Sequence, residues 1–113
     1  MKKSVLISHL LEVTEQLHAL ETESVSLEIR RQEQEFMLKT RESALLAEES
    51  GPITGKNAEM RAAQLWGLTQ SDRVLVLDLE AQIMRDKGDL THLRTLHKSL
   101  LAISALLSPI LVQ

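Results

Sequence analysis

The sequence predicts an all-α protein: a long antiparallel helical hairpin, coiled-coil-like, that pairs with a second copy into a dimeric helical bundle. Three observations carry this reading. The stretch from Ser4 to Ser50 contains neither Gly nor Pro. Within it Leu6, Leu10, Val13, Leu17, Leu20 and Leu27 fall on alternating four- and three-residue steps, the spacing with which one helix packs along another. The one strong turn cluster, Ser50-Gly-Pro-Ile-Thr-Gly55, lies near the middle of the chain, and a second leucine-rich stretch follows it.

The first helix is predicted over residues 4–49. At about 1.5 Å per residue it would be roughly 70 Å long, whereas a compact domain of about 100 residues has a radius of gyration near only about 13 Å. The turn is placed at 50–57. Asn57 is a suitable N-cap, and Ala58, Glu59, Met60, Arg61, Ala62 and Ala63 are good helix formers, so a short helix follows over 58–68. Thr69-Gln-Ser-Asp72 reads as a capping box with Asp in the usual Glu position, restarting a helix over 70–107 after a kink near Gly67. Val74-Leu-Val-Leu77 has strand-like composition, yet no second strand pattern exists to satisfy its backbone groups. In the last helix Leu79, Ile83, Leu90, Leu93 and Leu100 keep the four-three rhythm, with Asp86 and His97 on interior steps. Gly88 marks a weak point, beyond which the stripe is expected to shift to Leu96, Leu100, Ile103 and Leu107.

Residues 1–113 are thus read as a single helical domain. Folding it at the central turn sets the leucine-rich start beside the leucine-rich end. It also brings Arg30 and Arg31 near Asp78 and Glu80, and Trp66 over the first helix close to Arg41. The seam steps of the first helix reach Ser24, Arg31, Gln34 and Arg41, a loosely specified middle, with a second stripe of Val25, Ile29 and Phe36 beside it.

Composition narrows the function. One Trp, one Phe, no Tyr and no Cys occur in 113 residues, which excludes disulfides and thiolate chemistry and fits a reducing cytoplasm. The apolar run near the start is interrupted by Ser8 and His9 and meets Glu12, so it reads as helix rather than as a secretory leader. The run from Leu100 to Val112 is shorter than the about 20 residues that cross a bilayer, and Pro109 breaks it; no membrane role is expected. Up to Gly51, six Lys and Arg oppose ten Asp and Glu, so the first half lacks the basic footprint of a nucleic-acid binder.

Candidate chemistry is sparse. Gly51-Pro-Ile-Thr-Gly55-Lys56-Asn57 has one residue too few for a phosphate-binding loop and Asn in place of the magnesium-holding hydroxyl. Glu15, His18, Asp89 and His92 form two carboxylate-x-x-His pairs of the kind that build dinuclear metal sites in bundles. Their phases set them outside the seam defined by Leu17, Leu20, Leu90 and Leu93, so no metal and no cofactor is expected. His9 and His97 lie close to the apolar ends and read as packed residues with at most a mild effect of pH on assembly. Trp66 reads as a packing anchor. No Ser-His-acid set is apparent, and no catalytic residue is assigned. Self-association as a homodimer or higher homo-oligomer is expected through Leu6, Leu10, Val13, Leu17, Leu20, Leu96, Leu100, Ile103 and Leu107. A weak nucleic-acid patch would use Arg85, Lys87, Arg94 and Lys98, with no aromatic residue interleaved for stacking.

The acidic first helix, Thr54-Gly-Lys-Asn-Ala-Glu-Met-Arg-Ala-Ala-Gln-Leu65 at the turn and Leu96-His-Lys-Ser-Leu-Leu-Ala-Ile-Ser-Ala-Leu-Leu-Ser108 at the end resemble small all-helical proteins of bacteriophages and prophages. The resemblance implies a cytoplasmic location in a bacterial host cell and a non-enzymatic interaction or accessory role with a protein partner. Genes of such proteins often stand among replication and recombination genes, which is the setting of the nucleic-acid alternative. It supplies no set of functional residues.

Overall fold

The computed structural model describes the backbone of residues 2–112 and the side chains of residues 2–107. The order is α1 (Lys3–Ala47), α2 (Ala58–Leu68) and α3 (Gln70–Val112), and there is no strand among the described residues. The Val74–Leu77 run is helical. The chain is an all-α antiparallel helical hairpin, with α1 and α3 as its arms. Its contacts group into two compact units, Met1–Ser26 with Ile83–Gln113, and Leu27–Gln82.

In the first unit the four-three rhythm becomes a core. Leu6, Val13 and Leu100 are buried, and Leu10, Leu17, Ile103 and Leu107 pack against them. Ile83, Asp86 and Leu90 continue the buried face of α3. Of the stripe expected beyond Gly88, Leu100, Ile103 and Leu107 join the core and only Leu96 does not. His97 stays half-buried on the seam while Leu96 is 39% exposed, because α3 passes Gly88 as regular helix and nothing crowds that position. The helix also runs five residues past its predicted end at 107, through Pro109.

In the second unit Leu27, Val76 and Leu79 are buried. Arg31 and Gln34 occupy seam steps as predicted and are half-buried, but the predicted step at Arg41 is exposed, and Glu42 is half-buried in its place. Arg31 is held on its own helix by Glu28 at 3.1 Å and Glu35 at 2.8 Å. The hydrogen bonds that the guanidinium donates to Glu28 and then to Glu35 raise its pKa above the ordinary value.

The turn is built as predicted at its helix end. The Asn57 side chain accepts a hydrogen bond from the Met60 N–H at 2.8 Å, satisfying one of the orphan donors of α2. Upstream, Gln64 Oε1 accepts from the N–H groups of Thr54 and Gly55 at 3.0 and 2.7 Å, and its amide donates to the Thr54 hydroxyl. A Cβ on Gly55 would stand 2.7 Å from the Arg61 nitrogen and 2.9 Å from the Met60 carbonyl carbon. Both are backbone atoms, so only glycine lets the loop approach the start of α2 this closely.

The joint between α2 and α3 differs from the predicted capping box. The interruption is at Thr69, not Gly67, and the Thr69 hydroxyl donates backward to the Leu65 carbonyl at 2.7 Å. Asp72 therefore does not complete a box; it pairs with Arg41 at 2.8 Å. Backbone bonds from Thr69 N–H to Leu65 and from Arg73 N–H to Thr69 carry the helical ladder across the joint, which explains why one residue suffices for the break. Thr69 is fully buried, and its oxygen accepts from Arg73, which also reaches Glu42.

Trp66 lies over α1 close to Arg41, as read from the sequence: it groups with Leu38, one turn before Arg41, and with Arg73, Val76 and Leu77, while Arg41 itself pairs with Asp72. Towards the end of α1, Leu46 shares a groove with Ala58, Arg61, Ala62 and Leu65.

Candidate interaction surface

The first unit carries the clearest surface feature, a groove of about 460 Å³ lined by Gln16, Ala19, Leu20, Glu23, Asp89, His92 and Leu93. Helical geometry explains it. Leu20 and Leu93 are seam residues, each half-buried, while Gln16, Ala19 and Glu23 lie on one flank of the α1 seam. Glu21 lies on the opposite flank and is bridged to Arg94 of α3 at 3.5 Å. One edge of the seam is thus spanned by an ion pair, and the other is left open because Ala19 is too small to cover Leu20.

The second unit repeats the pattern. Glu42 and Arg73 bridge one flank, and a groove of about 260 Å³ lined by Arg30, Glu33, Gln34, Leu75, Asp78, Leu79 and Gln82 opens on another. Arg30 and Asp78 come to one groove, as the folded-back sequence suggested; Arg31 instead remains with Glu28 and Glu35.

The predicted association residues divide. Leu6, Leu10, Val13, Leu17, Leu100, Ile103 and Leu107 are taken up by the core of the hairpin itself, Leu20 floors the groove, and Leu96 stands outside. What remains in water in this unit includes Val5, Ile7, Leu11, Leu101 and Leu106, with Leu11 at 61% and Leu101 at 48% exposure. In the second unit Ile29, Phe36, Met37, Trp66, Val74, Leu75 and Leu77 are exposed. Ile29 and Phe36 belong to the second stripe read from the sequence.

The two carboxylate-x-x-His pairs are not brought together. Asp89 and His92 line the groove, opposite Gln16 and Glu23, while Glu15 and His18 are exposed elsewhere on α1. No group of three or more His, Asp or Glu positioned for a metal ion occurs among the described residues. His9 is exposed, and His97 packs on the seam. Of the basic set, Arg94 is engaged by Glu21, and Arg85 and Lys98 are exposed. No helix is long and apolar enough to cross a membrane among the described residues.

Sequence reasoning missed Gln16, Ala19 and Glu23 as a lining set. The available signal was a small residue flanking two leucines of the seam, but its meaning depends on which α3 residues lie opposite. The chain matches no protein-family model, no curated protein and no solved structure.

Proposed function

We propose that the chain is a non-enzymatic helical interaction protein of the phage accessory type, acting through self-association and contacts with other proteins. The observation that carries this reading is the apolar surface left over once the seam is filled. Val5, Ile7 and Leu11 on α1, with Leu96, Leu101 and Leu106 on α3, stand in water within one unit. Ile7 and Leu11 are four residues apart and so share a face of α1. Scattered exposed leucines are ordinary, and this reading rests on the number of large apolar side chains exposed in one unit, with Ile7 and Leu11 sharing one face of α1. Most are about half exposed and so contribute about half of the ~1.5–3 kcal/mol that full burial supplies, and several per copy are needed to outweigh the cost of bringing two copies together. A two-fold dimer is the simplest closed arrangement, and it makes a four-helix bundle of two hairpins.

The experiment is size-exclusion chromatography with light scattering on the Leu11→Glu, Leu101→Glu double variant and on Thr22→Glu as a control at an exposed position. The double variant is expected to elute as a helical monomer while the control remains associated. An unchanged mass for the double variant would remove this surface from the account.

A further inference from the structure

The groove of the first unit has a chemistry that self-association does not use. Its floor is aliphatic, from Ala19, Leu20 and Leu93, and its rim is polar, from Gln16, Glu23, Asp89 and His92. The lining contains two carboxylates and no Lys or Arg. Glu21, the neighbouring carboxylate on α1, is committed to Arg94 across the other flank. Glu23 and Asp89 have no ion pair within the chain among the described residues. Two unneutralised carboxylates beside an apolar trough call for an occupant that is apolar on one face and cationic at its border.

We propose that this groove receives a basic amphipathic helix of a partner protein, with an aliphatic side chain over Leu20 and Leu93 and Lys or Arg side chains against Glu23 and Asp89. A helix laid in a groove supplies these groups at three- and four-residue spacing. A second copy of the same chain is a poorer occupant. A two-fold contact sets the same surface against itself, so the carboxylates of one copy would crowd those of the other. Phosphate-bearing partners are disfavoured for the same reason. The inference rests on the reading of the chain as an interaction protein, but not on its self-association.

The test uses three synthetic helical peptides with one common leucine stripe, flanked respectively by Lys and Arg, by Gln, or by Glu. Each is titrated into the isotope-labelled full chain and followed by amide chemical shifts. Saturable shifts at Gln16, Ala19, Leu20, Glu23, His92 and Leu93 are expected with the basic peptide, and binding at least about tenfold weaker with the acidic one. The basic preference should decline with added salt. It should be lost in the Glu23→Gln, Asp89→Asn variant, which keeps the groove's shape, and Ala19→Arg should block both peptide and shifts. Equal binding of all three peptides, shifts mapping to another face, or no saturable shifts would overturn the proposal. Concentration-dependent shifts of these same amides without peptide would assign the groove to a second copy and also overturn it. Sedimentation of the same samples separates the two ideas: a monomer that binds the basic peptide retains the groove proposal and rejects self-association, and a dimer with a silent groove does the reverse.

Discussion

Replacing Asp86 with Leu should stabilise the protein. Asp86 occupies a seam step of α3 between Ile83 and Leu90, it is only 9% exposed, and its Oδ2 is buried without a hydrogen-bond partner. An unsatisfied buried polar atom costs about 1–3 kcal/mol. Leu on the same step would add apolar burial worth about 1.5–3 kcal/mol, and its higher helix propensity contributes a few tenths of a kcal/mol more. Against these stands the larger volume of Leu, for which overpacking costs about 1–3 kcal/mol. The net expectation is a gain of about 0–5 kcal/mol, centred near about 2–3 kcal/mol, and a smaller gain for Asp86→Ala, which removes the carboxylate without adding volume. Urea unfolding followed by far-ultraviolet circular dichroism measures it, at one fixed protein concentration because association would also shift the midpoint. A higher midpoint at unchanged slope is the expected result. A lower midpoint for both variants would show that the carboxylate has a stabilising partner, and the assignment of Asp86 as an unsatisfied seam residue would be wrong.

Other substitutions probe single devices of the fold. Gly88→Ala should stabilise by about 0.4–1 kcal/mol, read as a shift in the urea midpoint, since an added Cβ meets nothing within 4 Å in mid-helix. Gly55→Ala should destabilise, because its Cβ would press on the backbone of Met60 and Arg61; the check is a lowered thermal midpoint with faster amide exchange in the first turn of α2. Thr69→Val keeps the shape of a fully buried side chain but deletes its bonds with the Leu65 carbonyl and with Arg73. A loss of about 1–2 kcal/mol is expected on unfolding, and no loss would mean that these bonds do not hold the α2–α3 joint.

The long-range plan of this chain was legible because it rests on apolar period and on where Gly and Pro fall. An unbroken stretch without Gly or Pro, two leucine stripes and one turn cluster dictate helix, reversal, helix, and the Asn57 cap follows from local side-chain chemistry. The α2–α3 joint was not legible to the same degree. Thr69 has two short-range choices, forward to the N–H of a following turn or backward to the Leu65 carbonyl, and the sequence does not rank them. Burial of Thr69 with Arg73 and Glu42 selects the second, and with it the register that pairs Arg41 with Asp72. The groove depended on that kind of information as well. Asp89 and His92 stood out as chemistry-bearing residues, but their neighbours Gln16, Ala19 and Glu23 acquire meaning only once α1 and α3 are aligned.

Sedimentation equilibrium of the unmodified chain at low micromolar concentration tests the central proposal most directly, since an apolar surface of this kind is predicted to bring copies together. A mass at least twice the 12.7 kDa of one chain is predicted, falling toward one chain's mass on dilution. A well-folded, helical monomer of 12.7 kDa throughout that range would contradict it.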